Sequence, residues 1–127
     1  MPPTILILDD EDAIAELARS LLEGEGYRVV LAPNGLEGLR LLTEERPGLV
    51  ISDVMMPLMD GLAFARAVGA DPAHAQLPLV LMSAAGSGVV DGVPHTAFLA
   101  KPFDLITLIA LVAGLLPSDR GGRDGDR

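Results

Sequence analysis

Five short apolar runs, most of them separated by a helix-length stretch, constrain this chain more than any other feature. They are Thr4-Ile5-Leu6-Ile7-Leu8, Arg28 to Ala32, Leu49-Val50-Ile51-Ser52-Asp53, Pro78 to Ser83 and Ala97 to Ala100. Runs of this length bounded by turn residues read as buried strands. Ile14, Leu17, Ala18, Leu21 and Leu22 follow the first run at helical spacing, and Gly24-Glu25-Gly26 stops that helix. Leu36, Leu39 and Leu42 mark a second helix, closed by Arg46-Pro47-Gly48. Gly38 inside it should cost about 1 kcal/mol relative to Ala. A third runs from about Asp60 to Ala70, with Leu62, Ala65 and Val68 near one face. A last helix, capped by Asp104, runs to Leu116 and is stopped by Pro117.

Strands alternating with helices imply a parallel sheet covered on both faces. For five strands the natural arrangement is α/β, flavodoxin-like and doubly wound, in the order 2-1-3-4-5. The stretch from Ala84 to Thr96 breaks the rhythm, with three Gly and one Pro. A stable helix is not expected there, so the fourth helix should be short or missing, at most one turn around Gly88 to Gly92.

At 127 residues the chain is expected to hold one domain, residues 1–117, followed by a Gly/Asp/Arg tail, 118–127, that is disordered or begins a linker. The net charge of −9 argues against nucleic-acid binding by this chain. No Cys is present, which rules out disulfides and thiolate metal sites and fits a cytoplasmic protein. Met1-Pro2-Pro3 leads straight into the first strand, so no signal peptide is expected. The longest apolar run, Leu105 to Leu116, is too short to cross a membrane.

The chemistry lies at the ends of the runs. The first ends at Asp9-Asp10, the third at Asp53, the fourth at Ser83, and the fifth runs into Lys101. Of nine basic residues eight are Arg, so the single Lys, set between apolar neighbours, is not surface filler. Ligands of open parallel sheets bind outside the carboxyl ends of the strands. Three carboxylates in one cleft repel unless a cation neutralises them. With only oxygen donors the ion expected is hard, Mg²⁺ ahead of Ca²⁺. Mg²⁺, one Lys and one hydroxyl suit a phosphoryl group, and an Asp nucleophile would carry it as an acyl phosphate. Glu11 and Asp12 read as a solvated helix start, and His74 and His95 as ordinary loop residues.

Four segments resemble the receiver domain of two-component response regulators: Ile7-Leu8-Asp9-Asp10-Glu11, Asp53-Val54-Met55-Met56-Pro57-Leu58-Met59-Asp60-Gly61, Ser83-Ala84-Ala85 and Phe98-Leu99-Ala100-Lys101-Pro102-Phe103. The resemblance spans about residues 4 to 116, and these segments in this order are together highly specific. It implies that Asp53 accepts a phosphoryl group from a sensor histidine kinase or phosphotransfer protein. Asp10, Asp53 and the Met55 backbone carbonyl would bind Mg²⁺ directly, and Asp9 through water. Lys101 would pair with Asp53 and then with its phosphoryl oxygens. Ser83 would bond a phosphoryl oxygen on activation, and Phe98 would swing inward, although a static ring is an equal reading. The Lys101-Pro102 bond would be cis.

Two departures from the family pattern bear on output rather than chemistry. The segment standing for the fourth helix is short and Gly-rich. The last helix carries no charge from Leu105 to Leu116, with Leu105, Leu108, Ile109 and Val112 as its core stripe and Ile106, Leu111 and Leu115 partly outside it. A second copy, a partner or the Gly-rich loop should cover that surface. The reading is a signalling phosphoacceptor that assists its own phosphorylation and dephosphorylation, rather than an enzyme with an external substrate. The alternative is a pseudo-receiver interaction module that does not use phosphorylation. An Asp-nucleophile phosphatase would want a second Asp where Met55 stands. A flavin binder would want a phosphate-cradling loop after the first strand.

Overall fold

The computed structural model describes residues 2–117; the expected tail at 118–127 lies outside them. Strands β1 (Thr4–Leu8), β2 (Arg28–Ala32), β3 (Leu49–Asp53), β4 (Leu79–Ser83) and β5 (Ala97–Ala100) form one parallel sheet in the order β2-β1-β3-β4-β5. Helices α1 (Asp12–Gly24), α2 (Gly35–Glu45), α3 (Gly61–Gly69) and α4 (Leu105–Leu115) cover both faces. The fold is the flavodoxin-like one that the alternation predicts.

Period-two alternation divides the core. Ile5, Ile7, Ile51, Val80 and Met82 face α1 and α4, where Leu22, Leu108 and Val112 meet them. Leu6, Leu8, Val50, Leu79 and Leu81 face α2 and α3, where Leu42, Phe64 and Val68 pack. All five residues of β3 are buried, which is why its sequence is an unbroken run rather than an alternation. Phe64, wholly buried, contributes roughly 2–3 kcal/mol by the area it removes from water.

Side-chain caps start three of the helices. Asn34 accepts from the Glu37 N–H at 2.9 Å, Asp60 from Ala63 at 2.8 Å and Asp104 from Thr107 at 2.7 Å. Each satisfies a backbone donor that has no partner within the helix. Two glycines matter through what they lack. A Cβ at Gly61 would overlap the backbone carbonyl of Asp53, so α3 can start against the end of β3 only with Gly there. A Cβ at Gly38 would overlap Leu8 Cδ2 and meet the Phe64 ring at 3.0 Å.

The segment between β4 and β5 holds a single 3-10 turn, Ser87–Val90, with Val90 and Val93 buried against the α2–α3 side. The short or missing fourth helix is thus a one-turn remnant, beginning one residue earlier than expected. The stripe on α4 needs correction. Leu108 and Val112 are buried, but the flanks of the stripe are Leu111 and Leu115, which pack against the α1-side core. Leu105 is 41% exposed because the first turn of α4 stands beyond the strand ends. Ile106, at 81% exposed, lies on the outer face with Ala110 and Ala113.

Candidate functional site

Sheet register brings the polar strand ends level. Leu8 pairs with Ser52, Asp53 with Met82, and Ser83 with Ala100. Asp9, Asp53, Ser83 and Lys101 therefore stand on one rim. The Asp9 N–H donates to the Ala32 carbonyl and the Lys101 N–H to the Ser83 carbonyl, both at 3.0 Å, which carries the sheet ladder one residue past each strand.

Lys101 is the hub. Its Nζ lies 3.2 Å from Asp9 Oδ2, 3.2 Å from Asp53 Oδ2 and 3.3 Å from Glu11 Oε1. The Asp9 side chain is wholly buried and that of Lys101 is only 10% exposed. Asp10 is exposed, yet one oxygen from each of Asp9, Asp10 and Asp53 lies within 4.8 Å of the others. The Ser83 hydroxyl, also buried, accepts the Ala85 N–H at 2.9 Å.

The electrostatics follow from this crowding. Burial pushes the Asp9 carboxyl above its ordinary value; the Glu11 N–H and the Lys101 ammonium pull it down without cancelling that, and the Asp53 charge adds to the rise. Burial alone would depress Lys101, but the charges and hydrogen bonds of Asp9 and Asp53 outweigh it and hold the ammonium above its usual value. Such a rim carries more negative charge than one Lys balances. Its donors are all carboxylate oxygens, which fits a hard divalent cation.

The expected residues come together, with one exception. Asp9, Asp10, Asp53 and Lys101 form the cluster, and Ser83 and Met55 line the cavity that opens above Asp53 and Lys101. Phe98 is half-buried and packs against the α2–α3 core. The Lys101-Pro102 bond is cis. Glu11 is solvated as expected, its side chain 59% exposed, and it occupies the N-cap of α1 without capping it; its carboxylate also reaches Lys101, a contact the sequence reading did not include. Its place two residues after Asp9, on the same loop, was the available signal. Sequence reasoning also missed the role of Gly61 in fixing the Asp53 carbonyl. His95 is exposed as expected, whereas His74 is partly covered and sits 3.4 Å from Asp71. Leu58 holds a left-handed backbone, φ 67, while 81% exposed, and nothing in the structure explains a Leu there.

An open parallel sheet with an acidic rim and one buried lysine defines a receiver-type α/β domain. The chain belongs to the response regulator receiver domain family, whose model matches residues 5–113. Response regulator Rre1 of Synechocystis is 37% identical over 97% of this chain and 55% of its own length. The DNA-binding dual master transcriptional regulator RpaA of the same organism is 35% identical over 90% of this chain and 49% of its own. The chain thus spans about half the length of the curated relatives it matches. Among solved structures, the signal receiver domain of a signal transduction histidine kinase from Syntrophus aciditrophicus superposes with a TM-score of 0.85 at 35% identity, covering 90% of this chain and 89% of that one.

Proposed function

We propose that this receiver domain takes a phosphoryl group onto Asp53 from a phosphohistidine of a sensor histidine kinase or phosphotransfer protein. The observation that carries this reading is Lys101, held by the carboxylates of Asp9 and Asp53 at 3.2 Å each at the rim of the sheet. In the transfer, an Asp53 carboxylate oxygen forms a bond to phosphorus. The phosphorus–nitrogen bond breaks and its electron pair stays on the imidazole. Lys101, already beside Asp53, balances charge on the incoming oxygens, and the Ser83 hydroxyl donates to one of them. Asp9, Asp10, Asp53 and the Met55 carbonyl are the groups that would hold Mg²⁺, which when bound neutralises charge on the transferring group. Loss of the group is by hydrolysis, assisted by the same residues.

Output in this reading is a phosphorylation-dependent change of binding surface, in which Ser83 and Phe98 take part. The uncharged outer face of α4 offers a surface for a second copy or another partner. In this reading the chain is a cytoplasmic phosphoacceptor, and its net charge of −9 argues against nucleic-acid contacts of its own. No described helix is long and apolar enough to cross a membrane. The clustered acids and paired Lys101 count against a pseudo-receiver.

The test is incubation with Mg²⁺ and acetyl phosphate or beryllofluoride. A mass gain that disappears in Asp53→Asn is the expected result, and no gain with metal bound overturns it. Sedimentation of the same samples reads the α4 surface. A concentration-dependent shift abolished by Ile106→Arg supports a second copy there, and a monomer at every concentration removes it.

A further inference from the structure

The rim opens into a cavity of about 530 Å³ whose floor is Asp53, Ser83 and Lys101. Its walls are apolar. Ile14 and Leu17 come from α1, Met55 from the loop after β3, Phe103 from the approach to α4 and Leu105 from its first turn. Leu17 and Leu105 are 51% and 41% exposed, large apolar side chains left facing water beside the reacting carboxylate. Phosphoryl chemistry alone does not need such walls.

In-line displacement puts the leaving group on the far side of phosphorus from the attacking oxygen. Whatever carries the phosphoryl group to Asp53 is therefore held against this cavity. Its charged lining is confined to Asp53, Lys101 and Glu11. A donor with further phosphates would meet carboxylates and apolar walls, whereas one with a hydrocarbon body would bury it there. We propose that the cavity binds the leaving group of aliphatic acyl phosphates, and that medium-chain acyl phosphates are donors to Asp53 preferred over acetyl phosphate.

This inference rests on Asp53 being the phosphoacceptor. In the step, an Asp53 oxygen bonds to phosphorus, the bond from phosphorus to the acyl oxygen breaks, and the electron pair departs with the fatty carboxylate. No proton and no further reactant is required. Each methylene fully buried is worth about fourfold in binding.

The experiment uses the full chain with Mg²⁺ and follows the Asp53 mass gain with acetyl, butanoyl and hexanoyl phosphate. Their leaving carboxylates are of nearly equal basicity, so differences in rate report binding. The half-saturating concentration should fall about tenfold or more from acetyl to hexanoyl phosphate, with the maximal rate constant almost level. Leu17→Ser and Leu105→Ser should each shrink that ratio. Equal half-saturation along the series, with acetyl phosphate active, overturns the cavity assignment and leaves the Asp53 reading standing. A ratio that neither variant moves also overturns it. Failure of every donor with metal bound overturns both.

Discussion

Asp9 makes the rim sensitive to pH. Its carboxyl is raised above the usual 3.8 by burial first, with the Asp53 charge adding to the rise. A group raised on folding stabilises the fold fully below its unfolded value, and that stabilisation is lost as pH climbs through its folded value. Lys101 behaves likewise at the alkaline end, its contribution persisting through 10.5 and lost above its raised folded value. Between these limits the metal-free rim bears an ionised, poorly solvated Asp9. An Mg²⁺ ion held as proposed favours the ionised form, so the gain in Tm on adding Mg²⁺ should be smallest below the folded value of Asp9 and should grow as pH rises through it. Thermal scans with and without Mg²⁺ across that range check this, and a gain independent of pH would count against it.

At the level of elements, glycine shows how context reverses a propensity. Gly38 and Gly114 both sit inside helices, and nothing lies within 4 Å of a Cβ built at Gly114. Gly114→Ala should therefore stabilise by roughly 0.5–1 kcal/mol. Gly38→Ala should destabilise by about 1–2 kcal/mol, since its methyl overlaps the fully buried Leu8. Urea unfolding of the two variants gives opposite signs if this is right. The sequence alone marks Gly38 only as a weak point, because its partner Leu8 is thirty residues away and meets it through the sheet. The five strands were legible for the converse reason. Burial on both faces leaves a local signature in β1, β3 and β4, and each acid or lysine ends its run or follows it directly. The stripe on α4 was less legible, because helical periodicity does not show where the sheet beneath it stops. Leu105 runs past that edge while Leu111 does not. The reach of Glu11 to Lys101 was not legible because a solvated charge on a helix start looks the same with or without an ammonium beside it.

Across the whole molecule, chemistry and output are built to different standards. The rim is tied together by ladder hydrogen bonds and a lysine held by three carboxylates. The stretch after Ser83 is pinned to the core by Val90 and Val93, with its other residues from Ala84 to Thr96 exposed. Local opening free energy follows the number of such anchors, so this stretch should exchange its amide hydrogens faster than β4 and β5 on either side. Exchange as slow as in the flanking strands would refute that. Under the proposed phosphorylation a complete helix would pass on a tug at Ser83 as a lever does, whereas a strap on two apolar pegs would slacken or tauten, so a partner would register a change in give rather than a change in place.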